Sequence, residues 1–213
     1  MTKPSAGRSG RPRDTSIDDR VLSATRELLM ELGWDDLSVR GVAARAGVGR
    51  TTIDRRWSSK AELVLHAILG RTPDLTPFDG TDPAGWVQWV ATGSRELFAQ
   101  PEVRAAVPGL LSTFARNEDL RRQLWLSFSG PPAELFSADS PRDSEDAELD
   151  ARALLAMAAG ASLFLSTVAT EDDTDAVHAR IGELLLASLA PLLVDVLHQE
   201  LLLGRRHLCQ LCG

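Results

Sequence analysis

Cysteine is nearly absent. Cys209 and Cys212 are the only two in 213 residues, and both lie within five residues of the C-terminus. A disulfide framework needs cysteines spread through the fold, so none is expected. With His207 they form the string His-Leu-Cys-Gln-Leu-Cys, but a structural zinc site takes four ligands and usually two such pairs. A loosely packed tail is the better reading, and no metal is expected. A run of about 18 uncharged apolar residues is also missing, so neither a transmembrane helix nor a membrane partner is expected. The start, MTKPSAGRSGRPRDTS, has basic residues but no apolar stretch behind them. That is unlike a secretory leader and points to the cytoplasm. Missing too are GxSxG, HExxH and GxxxxGK[ST], and any His/Asp/Cys cluster at ligand spacing. Neither catalysis nor a bound cofactor is expected. His178 and His198 stand alone and read as structural or exposed.

What is present is an ordinary globular composition, 44% hydrophobic and 25% charged, with charge unevenly placed. Residues 1–70 carry 12 Lys+Arg against 9 Asp+Glu, while residues 71–213 carry 11 against 21. In a chain of net charge −7, a basic front suggests that only this part meets a polyanion.

Valine and isoleucine are sparse and no segment alternates for long, so the chain reads as all-α. Residues 1–16, rich in Gly, Pro and Ser, read as a disordered basic arm. A helix begins at Ile17, with Asp18 and Asp19 in its first turn, and ends at Gly33. Ser38 caps a second helix over Val39–Ala46, and Gly47 supplies a left-handed turn. A short third helix covers about Arg50–Arg56, and Ser59-Lys-Ala-Glu62 reads as a capping box for a fourth. The Pro/Gly-rich stretch near 70–83 divides a front domain (17–70) from a helical domain (82–203), followed by a tail (204–213). Asp82-Pro83 opens a helix through Trp86 and Phe98 that Pro101 closes. Further helices cover 102–116, with Pro108 as a candidate break, and 118–129, where Gly130-Pro-Pro stops them. After an acidic loop near 137–146, two long apolar helices span about 147–169 and 174–200.

The segment GVGRTTIDRRWSSK (47–60) carries Arg50, Arg55, Arg56 and Lys60 against one acid, Asp54. Two short helices joined at a glycine form the helix-turn-helix pattern. At about 100° per residue, Ile53 and Trp57 share one face while Thr51 and Arg55 point away, flanked by Thr52 and Arg56. The apolar edge can seat on the first helix and leave the other edge for a DNA groove. Arginine can pair with guanine O6 and N7, and threonine offers a hydroxyl and a methyl. Arg50, Thr51, Thr52 and Arg55 are therefore candidates for base edges. Ser38, Arg40, Arg56 and Lys60 are candidates for phosphates. Arg11 and Arg13 in the arm either enter the adjacent minor groove or remain solvated.

The run from Arg20 to Leu63 resembles the N-terminal domain of TetR-family transcriptional regulators. Its marks are Gly33-Trp34, Ser38-Val39, Ala46-Gly47-Val48, Thr52-Ile53 and the Trp57-x-Ser-Lys-x-x-Leu63 close. The match covers roughly residues 17–68; the remainder agrees in architecture only. The resemblance implies an operator-binding homodimer, most simply a repressor, with a helical domain for a small-molecule effector. Three positions depart from the family pattern. Gly49 stands where serine usually opens the reading helix, and Thr51 where glycine is usual. Asp54 replaces a common phosphate-binding tyrosine. An aspartate there either repels phosphate or holds Arg50, four residues earlier, in place for a base. A helical ligand-binding protein with weak or non-specific DNA binding is the rival reading.

Trp86, Trp89, Phe98, Phe114, Trp125, Phe128 and Phe164 are candidates either for plain core or for an effector cavity, with no more than half of them expected at a cavity. No acid or base among them marks the effector's chemistry. The closing helices are too apolar to stay wet, and small residues in ALLAMAAGASLFL (153–165) allow close approach. They serve their own core or a homodimer interface. A dimer doubles the site read and makes it palindromic.

Overall fold

The computed structural model describes residues 15–70, 74–76, 81–138 and 144–189, and every regular element among them is helical. The basic arm with Arg11 and Arg13, and the tail with His198, His207, Cys209 and Cys212, lie outside these residues.

The front is a trio of helices plus a fourth behind it. Helix α1 (Thr15–Asp36) loses its helical path at Gly33, whose φ of 75° is cheap only for glycine. Helix α2 (Val39–Ala46) starts where the Ser38 hydroxyl accepts the Gly41 N–H, and ends at Gly47 (φ 65°). Helix α3 (Arg50–Asp54) is shorter than expected: Arg55 and Arg56 lie in the turn that closes on the Ile53 carbonyl. Helix α4 (Lys60–Leu69) is capped by Ser59, which accepts the Glu62 N–H. The reciprocal half of the capping box is displaced by one residue, since Glu62 accepts from the Ser58 N–H and hydroxyl.

Behind them come α5 (Pro83–Ala99), capped by Asp82, and α6 (Pro101–Phe114). Pro108 does not break α6; it sits on the exposed side of a continuous helix. Nor does Gly130-Pro-Pro end the helical run. Helix α7 (Glu118–Leu124) passes through a wider π turn (Trp125–Ser129) into α8 (Gly130–Ala138). Pro131 and Pro132 thus fall in the first turn of a new segment, where a missing N–H costs little. Helices α9 (Ser144–Thr167) and α10 (Asp175–Ala187) close the described fold.

Two apolar cores hold these helices. The first joins Val21, Leu29, Val42, Ile53, Trp57, Leu63 and Val64 of the front with Ala106 and Leu110 of α6 and Leu120 of α7. The second packs Trp86, Val87 and Val90 of α5 against Ala133 and Phe136 of α8, Ala151 and Leu154 of α9, and Leu185 of α10. Trp86 is plain core: its ring lies 4.6 Å from that of Phe136 and its indole N–H donates to the Pro132 carbonyl. Between front and back, α6 passes so close to Trp34 that a Cβ on Gly109 would lie 1.9 Å from the indole. Only glycine permits that approach.

Among the described residues, α9 is the one helix long and apolar enough to span a membrane by length and composition alone. Its Ala147, Ala151, Leu154, Ala158, Ser162 and Leu165 nevertheless recur at threes and fours and are buried in the bundle. That spacing is the stripe by which α9 packs on its own bundle.

Candidate nucleic-acid interface

The reading helix is anchored from below and open above. Ile53 and Trp57 are 1% and 3% exposed, so the apolar edge is seated on the front core. The Trp57 indole N–H also donates to His66 Nδ1 at 2.9 Å, tying the end of α3 to α4. Arg50, Thr51, Asp54 and Arg55 are exposed on the other edge, and Thr52 is half-buried. The Arg50 Nε lies 3.4 Å from an Asp54 carboxylate oxygen. The side chains of Arg40 and Arg55 are exposed and make no hydrogen bond or ion pair among the described residues. Ser38 is exposed at its cap, with a hydroxyl proton still to donate.

Two of the residues expected at phosphates are held by partners within the chain. The Arg56 guanidinium is buried against Asp18 of α1, 2.5 Å from its carboxylate, with both side chains 8% exposed. A cation so paired and enclosed cannot also meet a phosphate. Lys60 donates to the Trp34 and Leu37 carbonyls at 2.7 and 3.1 Å and lies 4.8 Å from the Trp34 ring centroid. Its charge closes the end of α1, where helix carbonyls point outward. Both residues position the reading helix.

Other positioning contacts carried no motif. Arg45 of α2 grips Glu31 of α1 through two hydrogen bonds of 2.9 and 2.7 Å, which lowers the Glu31 pKa. Arg26 donates to the Ala67 carbonyl near the end of α4. Glu62 links the end of the reading turn to α7, accepting from Ser58 and, at 3.2 Å, from Gln123. Burial opposes its charge, but the Ser58 and Gln123 hydrogen bonds and nearby His66 outweigh it, so its pKa falls below the ordinary value. An acidic residue with an unusual number of donors is a three-dimensional signal; only its i+3 spacing from Ser59 was visible in sequence.

A cavity of about 540 Å³ lies behind the front helices, walled by α4, α5, α6 and α9 with the π turn. Trp89, Phe98, Phe114 and Phe128 line it, four of the seven candidate aromatics and so more than half. Trp125 and Phe164 do not. The Trp125 ring instead packs under Arg152, 5.2 Å from its guanidinium carbon, and Phe164 is 55% exposed on α9. His178 lies 2.7 Å from Asp173, which also bonds Arg104 of α6 at 3.0 Å. This contact fastens the turn before α10 to α6.

A capped helix, a left-handed glycine turn and a short exposed helix of arginine and threonine make up a helix-turn-helix unit. Residues 21–67 match the family model for bacterial regulatory proteins of the tetR family. The front helices therefore resemble the DNA-binding domain of that family, over about a fifth of the chain. It is 36% identical over 88 residues to the regulator YdeS of Bacillus subtilis, covering 41% of this chain and 43% of that one. It is 24% identical over 190 residues to the regulator AqdR of Rhodococcus erythropolis, covering 87% and 92%. Among solved structures, NalD of Pseudomonas aeruginosa shares the fold with a TM-score of 0.53 at 19% identity, covering 82% and 97%.

Proposed function

We propose that the chain is a homodimeric repressor that binds a palindromic operator and is released by a small molecule in the cavity. Arg50, Thr51, Thr52 and Arg55 reach base edges, while Ser38 and Arg40 hold phosphates on either side. Arg11 and Arg13 follow the adjacent minor groove. The observation that carries the reading is where the cavity lies. Its wall includes Leu65, Ile68 and Leu69 of α4 and Val107 and Leu110 of α6, the two helices directly behind the reading head. Helix α6 also bears Gly109 against Trp34. A ligand that favours one placement of α6 therefore favours one placement of the heads, and releases DNA by shifting populations. NalD, of the same fold, is the secondary repressor of a multidrug efflux pump, which supports repression over activation.

Selection of binding sites from random duplexes by the full chain tests this. The expected site is a palindrome whose halves are about one helical turn apart, with affinity falling steeply as salt rises. Retention without sequence preference, or none at low salt, would instead leave a helical ligand-binding protein.

A further inference from the structure

We infer that the cavity takes a neutral, ring-containing apolar molecule and rejects anions. This rests on the reading of the cavity as the effector site and names the chemistry of its occupant. Among the described residues that line it, Glu96 is the single ionisable side chain, and no Lys, Arg or His faces in. The aromatic walls, Trp89, Phe98, Phe114 and Phe128, offer ring faces from α5, α6 and the π turn. Ser94, Gln100 and Ser129 add a few neutral hydrogen-bonding groups. An anion entering such a space sheds its water with no cation to replace it. Glu96 and the acidic excess of residues 71–213 add repulsion. A cation gains little, because Glu96 is exposed and its attraction is screened by solvent. The volume, about 540 Å³, is that of an ordinary small-molecule pocket and holds two or three rings.

Two wall positions offer a way to fill the cavity. Gly93 lines it, and a Cβ built there meets nothing within 4 Å, so Gly93→Phe points into open space. Ala159 lines the cavity from α9, and Ala159→Phe adds a ring at that wall. The test uses N-phenyl-1-naphthylamine, its 8-sulfonate and a quaternary-ammonium derivative, titrated by fluorescence into the full chain. The neutral amine is expected to bind at least tenfold tighter than either charged form. Gly93→Phe and Ala159→Phe, folded by circular dichroism, are expected to weaken it at least tenfold. A sulfonate that binds as tightly as the amine overturns the inference. So does a cation that binds tenfold tighter and loses that gain in Glu96→Gln, or amine binding unchanged in both filled variants. Operator release is read separately: amine binding that leaves the operator complex intact overturns effector release but not the ligand class. A protein that footprints its operator yet binds no probe overturns the ligand class alone.

Discussion

Arg50 and Asp54 sit one turn apart on the exposed edge of α3, and the aspartate faces the Nε side of the guanidinium. That leaves the two terminal amino groups for a guanine O6 and N7. On the proposed reading the same carboxylate would repel a phosphate, exchanging affinity for selectivity. Asp54→Ala is expected to raise binding to random DNA and to lower the preference for guanine opposite Arg50 by roughly five- to tenfold, within the usual worth of one bidentate base contact. Site selection with both proteins checks this; an unchanged selected sequence would reduce Asp54 to simple repulsion. Side-chain roles were legible in sequence where they depend on local period. The wheel placed Ile53 and Trp57 inward, and both are buried. They were illegible where they depend on distant partners. Arg55 and Arg56 look alike in sequence, yet Arg56 is claimed by Asp18, 38 residues earlier. Lys60 is claimed by carbonyls at 34 and 37.

At the scale of elements, the helix starts were legible because caps are local chemistry. Ser38, Ser59 and Asp82 each accept the N–H three residues on. Gly130-Pro-Pro was misread because a proline pair stops a helix or starts one according to the turn before it, here a π turn. Glu62 shows how a cap acquires a second task. Its carboxylate joins Ser58 below the reading helix to Gln123 on α7, so it couples the head to the body. Its pKa is lowered by folding, hence its charge stabilises the fold above the ordinary value of 4.5 and that stability is lost as pH falls through the folded value. Glu62→Gln is expected to cost about 1.5–3 kcal/mol at pH 7, the range for hydrogen bonds to a charged group. The deficit should shrink below pH 4.5. Thermal unfolding of both proteins at pH 7 and pH 3.5 measures it; a deficit equal at both would assign Glu62 a packing role alone.

For the molecule as a whole, the telling feature is the side of α9 turned away from its own core. Leu149, Met157, Phe164 and Val168 are each about half exposed or more, with Ala153, Ala156 and Gly160 also exposed between them, and Leu184 of α10 is open as well. An apolar stripe of this length marks an interaction surface rather than a wet face. A second copy meeting it across a two-fold axis would give the four-helix interface that pairs two reading heads. Gly160 separates this from a core role. A Cβ there meets nothing within 4 Å in one chain, so Gly160→Arg should fit the monomer and even favour its helix. In a close-packed dimer the same side chain would collide with the partner and bring an unpaired cation into the seam. The variant is expected to fold with unchanged helical content, to sediment at the one-chain mass of 23.1 kDa, and to lose operator affinity at least 100-fold. The loss follows from geometry: one head grips one half-site, and the gain from holding both at once disappears. If Gly160→Arg still sediments as a dimer, the stripe has another purpose and the two heads are joined elsewhere.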